Sequence, residues 1–207
     1  MTNREYGYYD AKLSHANHYL IPTVKPLLAD LPQKARVLDL GCGNGSMTAA
    51  LCCPDWRMYG VDASESGTRL ARQHFPSITF TCGLIEPGLV ASLGADSFDA
   101  IVCAEVVEHM YYPRDLARCA FDLLRPGGRF VITTPYHGYV KNCALAFSGS
   151  MDRHWSPLWD GGHIKFWSWK TMRTLLDEAG FRDLTFQGVG RIPFLWKSMV
   201  ISSIKPL

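Results

Sequence analysis

The stretch Arg36-Val37-Leu38-Asp39-Leu40-Gly41-Cys42-Gly43-Asn44-Gly45-Ser46 runs from a short apolar strand into a loop with glycine at 41, 43 and 45. Val37, Leu38 and Leu40 suit a buried strand, and Asp39 places a carboxylate near its C-terminal end. The glycines let the backbone turn sharply and let a ligand lie against it without Cβ interference. Met47 to Leu51 then read as the start of a helix whose N-terminal amides point toward the same ligand. A second apolar run, Met58-Tyr59-Gly60-Val61-Asp62, ends on an acid 21 residues beyond Gly41. An acid at that distance, on the tip of the adjacent strand, is placed to accept both hydroxyls of a ribose. The ligand therefore carries a nucleoside. The dinucleotide fingerprint G-x-G-x-x-G is not met, because Ser46 stands where its third glycine belongs. Asp39, just inside the loop, suits a cofactor with a cationic amino-acid end better than a pyrophosphate.

Working outward, apolar runs alternate with helical patterns. Strands are expected near 36–40, 57–61, 78–82, 99–103 and 129–133, and helices near 46–53, 64–74, 113–124 and 168–179. Such alternation implies parallel strands joined by crossover helices, hence a doubly wound α/β sheet. Pro126-Gly127-Gly128 should break the chain before the fifth strand. Phe181 to Phe186 and Ser198 to Ile204 supply two more strands.

Three segments together carry a family resemblance: Val37 to Gly45, Val61-Asp62-Ala63-Ser64, and Leu124-Arg125-Pro126-Gly127-Gly128-Arg129. In order and spacing they resemble the class I S-adenosylmethionine-dependent methyltransferases, over about residues 31–207. The resemblance implies a Rossmann-like, seven-stranded, mostly parallel sheet with helices on both faces and an antiparallel last strand. It implies one methyltransferase domain over residues 1–207. The cofactor-binding positions it implies are Asp39, Gly41, Cys42, Gly43, Asp62, Ala63, Gly83, Leu84, Cys103 and Ala104. Gly83 and Leu84 would border the adenine, and Cys103 to Glu105 the methionine side.

Composition narrows the class. At 207 residues, 47% of them hydrophobic, the chain can bury one α/β core, and no apolar run is long enough to span a bilayer. The N-terminus lacks a basic-then-apolar secretion pattern. Seven scattered cysteines with no C-x-x-C pair read as free thiols, several of them buried, in a reducing cytoplasm. A net charge of +2 with no basic cluster argues against a long nucleic-acid partner. An NAD-dependent oxidoreductase would need a separate catalytic domain for which there is no room.

Two segments stand outside the common sheet. Residues 1–30 concentrate Tyr6, Tyr8, Tyr9, His15, His18 and Tyr19, and are expected to form a helical cap that closes over the cofactor or packs on the sheet. Residues 135–169 hold Tyr136, His137, Tyr139, Phe147, His154, Trp155, Trp159, His163, Phe166, Trp167 and Trp169. A connection so long and so aromatic, beyond the C-terminal end of the fifth strand, is expected to be a substrate lid or wall. Its Trp and Phe residues also leave an interfacial membrane contact open.

The reacting groups are sought after the fourth strand, in Glu105-Val106-Val107-Glu108-His109-Met110. A helical turn there would put Glu105, Glu108 and His109 on one face. Three readings compete. Glu105 and His109 orient backbone or substrate; His109 acts as general base; or Glu105, Glu108 and His109 bind a divalent metal such as Mg, Mn, Fe or Zn. The Glu-x-x-Glu-His pattern is similar to that of the ubiquinone-biosynthesis O-methyltransferases and of the small-RNA terminal 2′-O-methyltransferases. In the latter a later histidine completes the site, and His163 stands 54 residues after His109. The reading adopted is a small-molecule O-methyltransferase with a hydroxylated, aromatic or otherwise apolar acceptor. Methylation of nitrogen or carbon, and of an RNA 3′ end, are the alternatives.

Overall fold

Side chains along β4 (Phe98–Ala104) alternate between two faces, and that alternation organises the molecule. In the computed structural model, which describes residues 7–155 and 157–207, Ile101 and Cys103 pack to one side with Leu38, Leu40, Phe130 and Ile132. Ala100 and Val102 pack to the other with Val37 and Val131. A strand buried on both faces needs apolar residues at successive positions, which is why Ala100 to Cys103 read as one unbroken apolar run.

β1 (Arg36–Leu40), β2 (Arg57–Asp62), β3 (Thr79–Cys82), β4 and β5 (Leu124–Pro135) pair in parallel. β6 (Arg182–Val189) and β7 (Ser198–Ile204) complete a seven-stranded sheet of order β3-β2-β1-β4-β5-β7-β6. β7 runs antiparallel to both of its neighbours, as the family resemblance implies. The order reverses between β1 and β4, so a crevice opens at the C-terminal ends of those two strands.

Helices cover both faces. α5 (Pro113–Leu123) and α8 (Trp169–Ala179) bury Leu116, Ala120, Met172 and Leu176 against the first face. α1 (Asn17–Val24), α2 (Ser46–Leu51) and α3 (Glu65–His74) bury Leu20, Val24, Met47, Leu51 and Ala71 against the second. Ser64 caps α3 by accepting the Gly67 amide at 3.0 Å, and Gly180, at φ +102°, ends α8.

The chain departs from the expected element map in three places. Helices α4 (Pro87–Leu93), α6 (Tyr139–Phe147) and α7 (Met151–Trp155) have no counterpart in it. Periodicity reports burial, and these helices bury little: Leu89 in α4, Lys141 in α6, and nothing in α7. The expected N-terminal cap is helical only from Asn17, followed by a 3₁₀ turn over Lys25–Leu28; residues 1–6, Tyr6 among them, lie outside the described residues. Pro126-Gly127-Gly128 does not precede β5 but interrupts it, as a register shift opposite Phe98 and Ala100. No helix among the described residues is long and apolar enough to cross a membrane.

Candidate active site

The glycine loop closes over the C-terminal end of β1. Gly41 sits at φ +88°, and a Cβ there would collide with the Val106 side chain. Gly43, at φ +52°, is covered by the Tyr8 ring, which a Cβ would strike. Only glycine meets both demands, a left-handed backbone and a close approach. The loop is pinned from below: the amides of Gly41 and Cys42 donate to the Val61 carbonyl at 2.7 and 3.0 Å. Asp62 accepts from the amides of Gly43 and Ser64, each at 2.8 Å, so its carboxylate also braces the loop.

The N-terminal segment lies across this loop. Asn44 donates its side-chain amide to the carbonyls of Asp10 and Lys12 at 2.9 and 3.0 Å, and the Tyr8 amide donates to Ser66 Oγ at 3.2 Å. Beneath it is a cavity of about 230 Å³ lined by Asp39, Gly41, Cys42, Gly43 and Ala104, with Tyr8, Lys12 and Asn17 on the covering side. Asp62, Ala63, Gly83 and Leu84 stand at the neighbouring strand ends rather than in that cavity; the Gly83 amide donates to the Asp62 carbonyl at 2.9 Å. Cys103 requires correction as a cofactor-bordering residue. The two-residue period of β4 sends Ala104 to the same face as Val102 and sends Cys103 into the opposite core, where it is fully buried. Asp39 is buried, accepts from the Thr48 hydroxyl at 2.6 Å, and has its carboxyl pushed up to about 7, by burial first and by the charge of Asp62 besides. A cation placed beside it would reverse that shift.

After β4 the expected helical turn is only partly present. Glu105 takes a left-handed backbone, φ +55°, and the 3₁₀ turn begins at Val107 and ends at His109. Glu105 therefore does not join Glu108 and His109, which corrects the four-residue metal set. Its carboxylate turns to β5 and β7, accepting from the Thr133 hydroxyl at 2.9 Å and the Ser198 hydroxyl at 3.3 Å. Ser198 in turn lies 3.3 Å from the Tyr19 hydroxyl. Burial lifts the Glu105 carboxyl to about 7, against those hydrogen bonds and the charge of Lys141.

Glu108, His109 and His163 do converge, with one ligand atom from each lying within 4.8 Å of the others. Their framework is backbone: the amides of Ile164 and Lys165 donate to the Glu108 carbonyl at 2.9 and 3.0 Å, tying the 3₁₀ turn to the segment that carries His163. His109 Nδ1 lies 2.8 Å from the Gly161 carbonyl and 3.1 Å from that of Gly162. A carbonyl only accepts, so Nδ1 carries a proton, and Nε2 is the ring nitrogen left to face a ligand. Thr134 donates to Glu108 Oε2 at 3.0 Å, while Oε1 is buried without a hydrogen-bond partner, 3.9 Å from His163 Nε2. Burial, with His109 and further cations behind it, pushes His163 down to about 4, so its imidazole is neutral at pH 7. Burial and the neighbouring Glu105 push the Glu108 carboxyl upward. An orphaned buried carboxylate oxygen beside two imidazoles is a donor set that fits a divalent cation.

A second cavity, of about 690 Å³, adjoins the first and shares Glu105 and His163 with it. α6, α7 and the β6–β7 connection line it with Lys141, Leu145, Arg153, His154, Arg191 and Lys197. The aromatic residues of 135–169 contribute less than their number suggests. Trp159 lines the smaller cavity, Trp155 packs on Phe166 with centroids 5.5 Å apart, and Tyr139 and Phe147 face solvent. The cationic lining and the Tyr19–Ser198–Glu105 chain escaped the sequence reading, because their members come from segments far apart with no local motif.

A family model described as a methyltransferase domain matches residues 13–185. Among curated proteins, the chain is 28% identical over 161 residues to the ubiquinone biosynthesis O-methyltransferase of Idiomarina loihiensis, covering 74% of this chain and 64% of that one. It is 29% identical over 181 residues to the mitochondrial human protein of the same name, covering 82% and 46% respectively. The chain thus spans less than two thirds of the length of either relative. Among solved structures, YcgJ of Bacillus subtilis superposes with a TM-score of 0.70 at 18% identity, covering 94% of this chain and all of that one. The [4+2]-cyclase SpnF superposes equally well, with a TM-score of 0.71 at 16% identity over 100% and 89% of the two chains. The fold alone is therefore shared by proteins of different chemistry.

Proposed function

Because the chain belongs to the methyltransferase-domain family, we propose that it transfers the methyl group of S-adenosylmethionine to a hydroxyl of a small-molecule acceptor. The observation that carries this reading is the meeting of the two cavities at Glu105 and His163. The methionine end of the donor would lie over Gly41 and Gly43 with its ammonium toward Asp39, and the ribose toward Asp62. The acceptor would enter from the larger cavity, bounded by residues 135–169, and present its oxygen at the junction. The donor, when bound, would supply an activated methyl group to the acceptor oxygen and leave as S-adenosylhomocysteine, with the hydroxyl proton left for the protein to remove. Alignment of the two reactants is the main service of the protein, since the donor carries its own leaving group.

His109 lines the smaller cavity with Nε2 as the ring nitrogen that the Gly161 and Gly162 carbonyls do not hold, and in this reading Nε2 takes the proton. A divalent cation, when bound, would be held by Glu108, His109 and His163, and would supply Lewis acidity to the acceptor hydroxyl. Glu105 shapes the junction in both cases. The O-methyl outcome is supported by the names of the relatives, and methylation at nitrogen or carbon would use the same donor site. Seven free cysteines suit a reducing, cytoplasmic setting. Tyr139, Phe147 and Leu158, exposed at 84%, 93% and 97%, suit contact with a lipid surface, which vesicle co-sedimentation would test.

Calorimetry with S-adenosylhomocysteine tests the donor site. Asp62→Ala removes charge-assisted hydrogen bonds of about 1.5–3 kcal/mol each, so affinity should fall at least about tenfold. Unchanged affinity in a folded variant would discard the assignment. Chelation and metal add-back, with elemental analysis of the purified protein, decide between the two roles of His109. Full turnover in strong chelator with no metal present leaves it as the base.

A further inference from the structure

The larger cavity is basic although the chain as a whole is nearly balanced, with 21 Lys and Arg against 19 Asp and Glu. Lys141 on α6, Arg153 on α7, and Arg191 and Lys197 between β6 and β7 all line it, and Glu105 is the one carboxylate among its lining residues. Lys141 is the least expected of these. It is 5% exposed, on a helix whose other residues are largely open to solvent, and its Nζ donates to the Lys197 carbonyl at 3.3 Å. A carbonyl satisfies one ammonium proton but supplies no full negative charge. Among the described residues, neither Lys141 nor Arg191 forms an ion pair with a carboxylate. Lys197 instead places its ammonium over the Tyr19 ring, 5.5 Å from the centroid.

The cluster bears marks of its own repulsion. Burial and the charge of Arg191 push the Lys141 ammonium down to about 8, with Glu105 opposing. Burial, Lys141 and Arg191 also push His154 downward. Two cations, Lys141 and Arg191, held near one another at a partly enclosed cavity with no carboxylate ion-paired to either among the described residues, form a ready site for an anion. The same cavity carries Ala144, Leu145 and Leu195, so its lining has an apolar side as well. A volume of about 690 Å³ suits a small molecule rather than a polymer track.

We propose that the methyl acceptor carries an oxyanion, a carboxylate or a phosphate, held by Lys141 and Arg191 while its apolar body lies against Leu145 and Leu195. The anion would anchor the molecule on the side of the cavity formed by α6 and the β6–β7 connection, with the hydroxyl directed to the junction at Glu105 and His163. This rests on the reading of the two cavities as donor and acceptor sites, and its test separates the two.

The probes are three matched catechols: 3,4-dihydroxybenzyl alcohol, 3,4-dihydroxybenzoate and 3,4-dihydroxybenzyl phosphate. Calorimetry on the full chain, saturated with S-adenosylhomocysteine, should show one of the two anions binding at least about tenfold more tightly than the neutral alcohol. Which of them does so identifies the oxyanion. Arg191→Gln, at an exposed position, and Lys141→Met should each erase most of that advantage while S-adenosylhomocysteine affinity stays as in the parent. Equal binding of all three probes, no binding of either anion, or an advantage that survives both substitutions would overturn the proposal. Tighter binding of a short single-stranded RNA than of either anion would overturn it too. If S-adenosylhomocysteine itself fails to bind, the donor reading falls, and the anion preference is still measured on the chain alone.

Discussion

In the proposed donor site, Asp39 is a buried acid that would serve the ligand at a cost to the unliganded fold. Its folded pKa of about 7 lies above the ordinary aspartate value of 3.8, so the folded state holds its proton more tightly than the unfolded state does. Between those two values the folded chain binds more protons, and stability therefore falls as pH rises through that window. Asp39→Asn removes the penalty and keeps an oxygen for the Thr48 hydroxyl. The variant should match the parent near pH 4 and melt higher at pH 8, by several degrees if the penalty is on the order of 1–2 kcal/mol. It should bind S-adenosylhomocysteine more weakly, because the ammonium loses its carboxylate. Thermal melts across pH, paired with calorimetry, check both halves, and an Asn variant that melts lower at pH 8 would refute the account. At this scale the strand that carries Asp39 and the turn at Gly41 and Gly43 are legible in the sequence because their residues are consecutive in the chain. Cys103 was misjudged by one residue, and one residue in a strand is the difference between the two faces of a sheet.

At the scale of elements, the described part of the N-terminal segment is tied to the glycine loop by few bonds. Asn44 supplies two of them, to the carbonyls of Asp10 and Lys12, and residues 7–14 have no helix or strand of their own. Such a segment sits at the low-stability end of the molecule. Asn44→Ala should raise hydrogen exchange across residues 7–16 by about fivefold or more, each lost hydrogen bond being worth about 0.5–1.5 kcal/mol. The dissociation rate of S-adenosylhomocysteine should rise with it, while the midpoint of global unfolding moves little. Unaltered exchange there would mean that Tyr8 and its contact with Ser66 suffice to hold the cover. The helices of residues 139–155 make the complementary point. They form a cavity wall rather than a core layer, so they carry no apolar stripe from which a helix can be read.

For the whole molecule, the two cavities proposed to take donor and acceptor both draw on segments joined only by folding. A ligand that binds the folded chain alone stabilises it by mass action. At a concentration of about 100 times its Kd, S-adenosylhomocysteine should add about 2.7 kcal/mol, which for a chain of this size is roughly 5–10 °C in Tm. The shift should grow with the logarithm of ligand concentration and shrink in Asp62→Ala. Differential scanning fluorimetry measures it, and a Tm independent of ligand would contradict the donor assignment. The seven-stranded order with β7 between β5 and β6 keeps Ser198 within reach of Glu105, so the antiparallel hairpin helps to build the junction as well as to finish the sheet.

The sequence by itself determined the doubly wound core and the glycine loop. Both depend on consecutive residues: apolar strands of fixed period, glycines at a turn, acids at strand tips. Only the tertiary structure decided which of Glu105, Glu108, His109 and His163 lie together. The left-handed backbone at Glu105 and the hydroxyls of Thr133 and Ser198 withdraw one carboxylate, and the pairing of residues 164 and 165 with the Glu108 carbonyl brings in the distant histidine. The basic lining of the larger cavity belongs to the same class. Lys141 and Arg191 lie 50 positions apart in a chain of nearly balanced charge, and electrostatic potential depends on distance in space, which only packing creates.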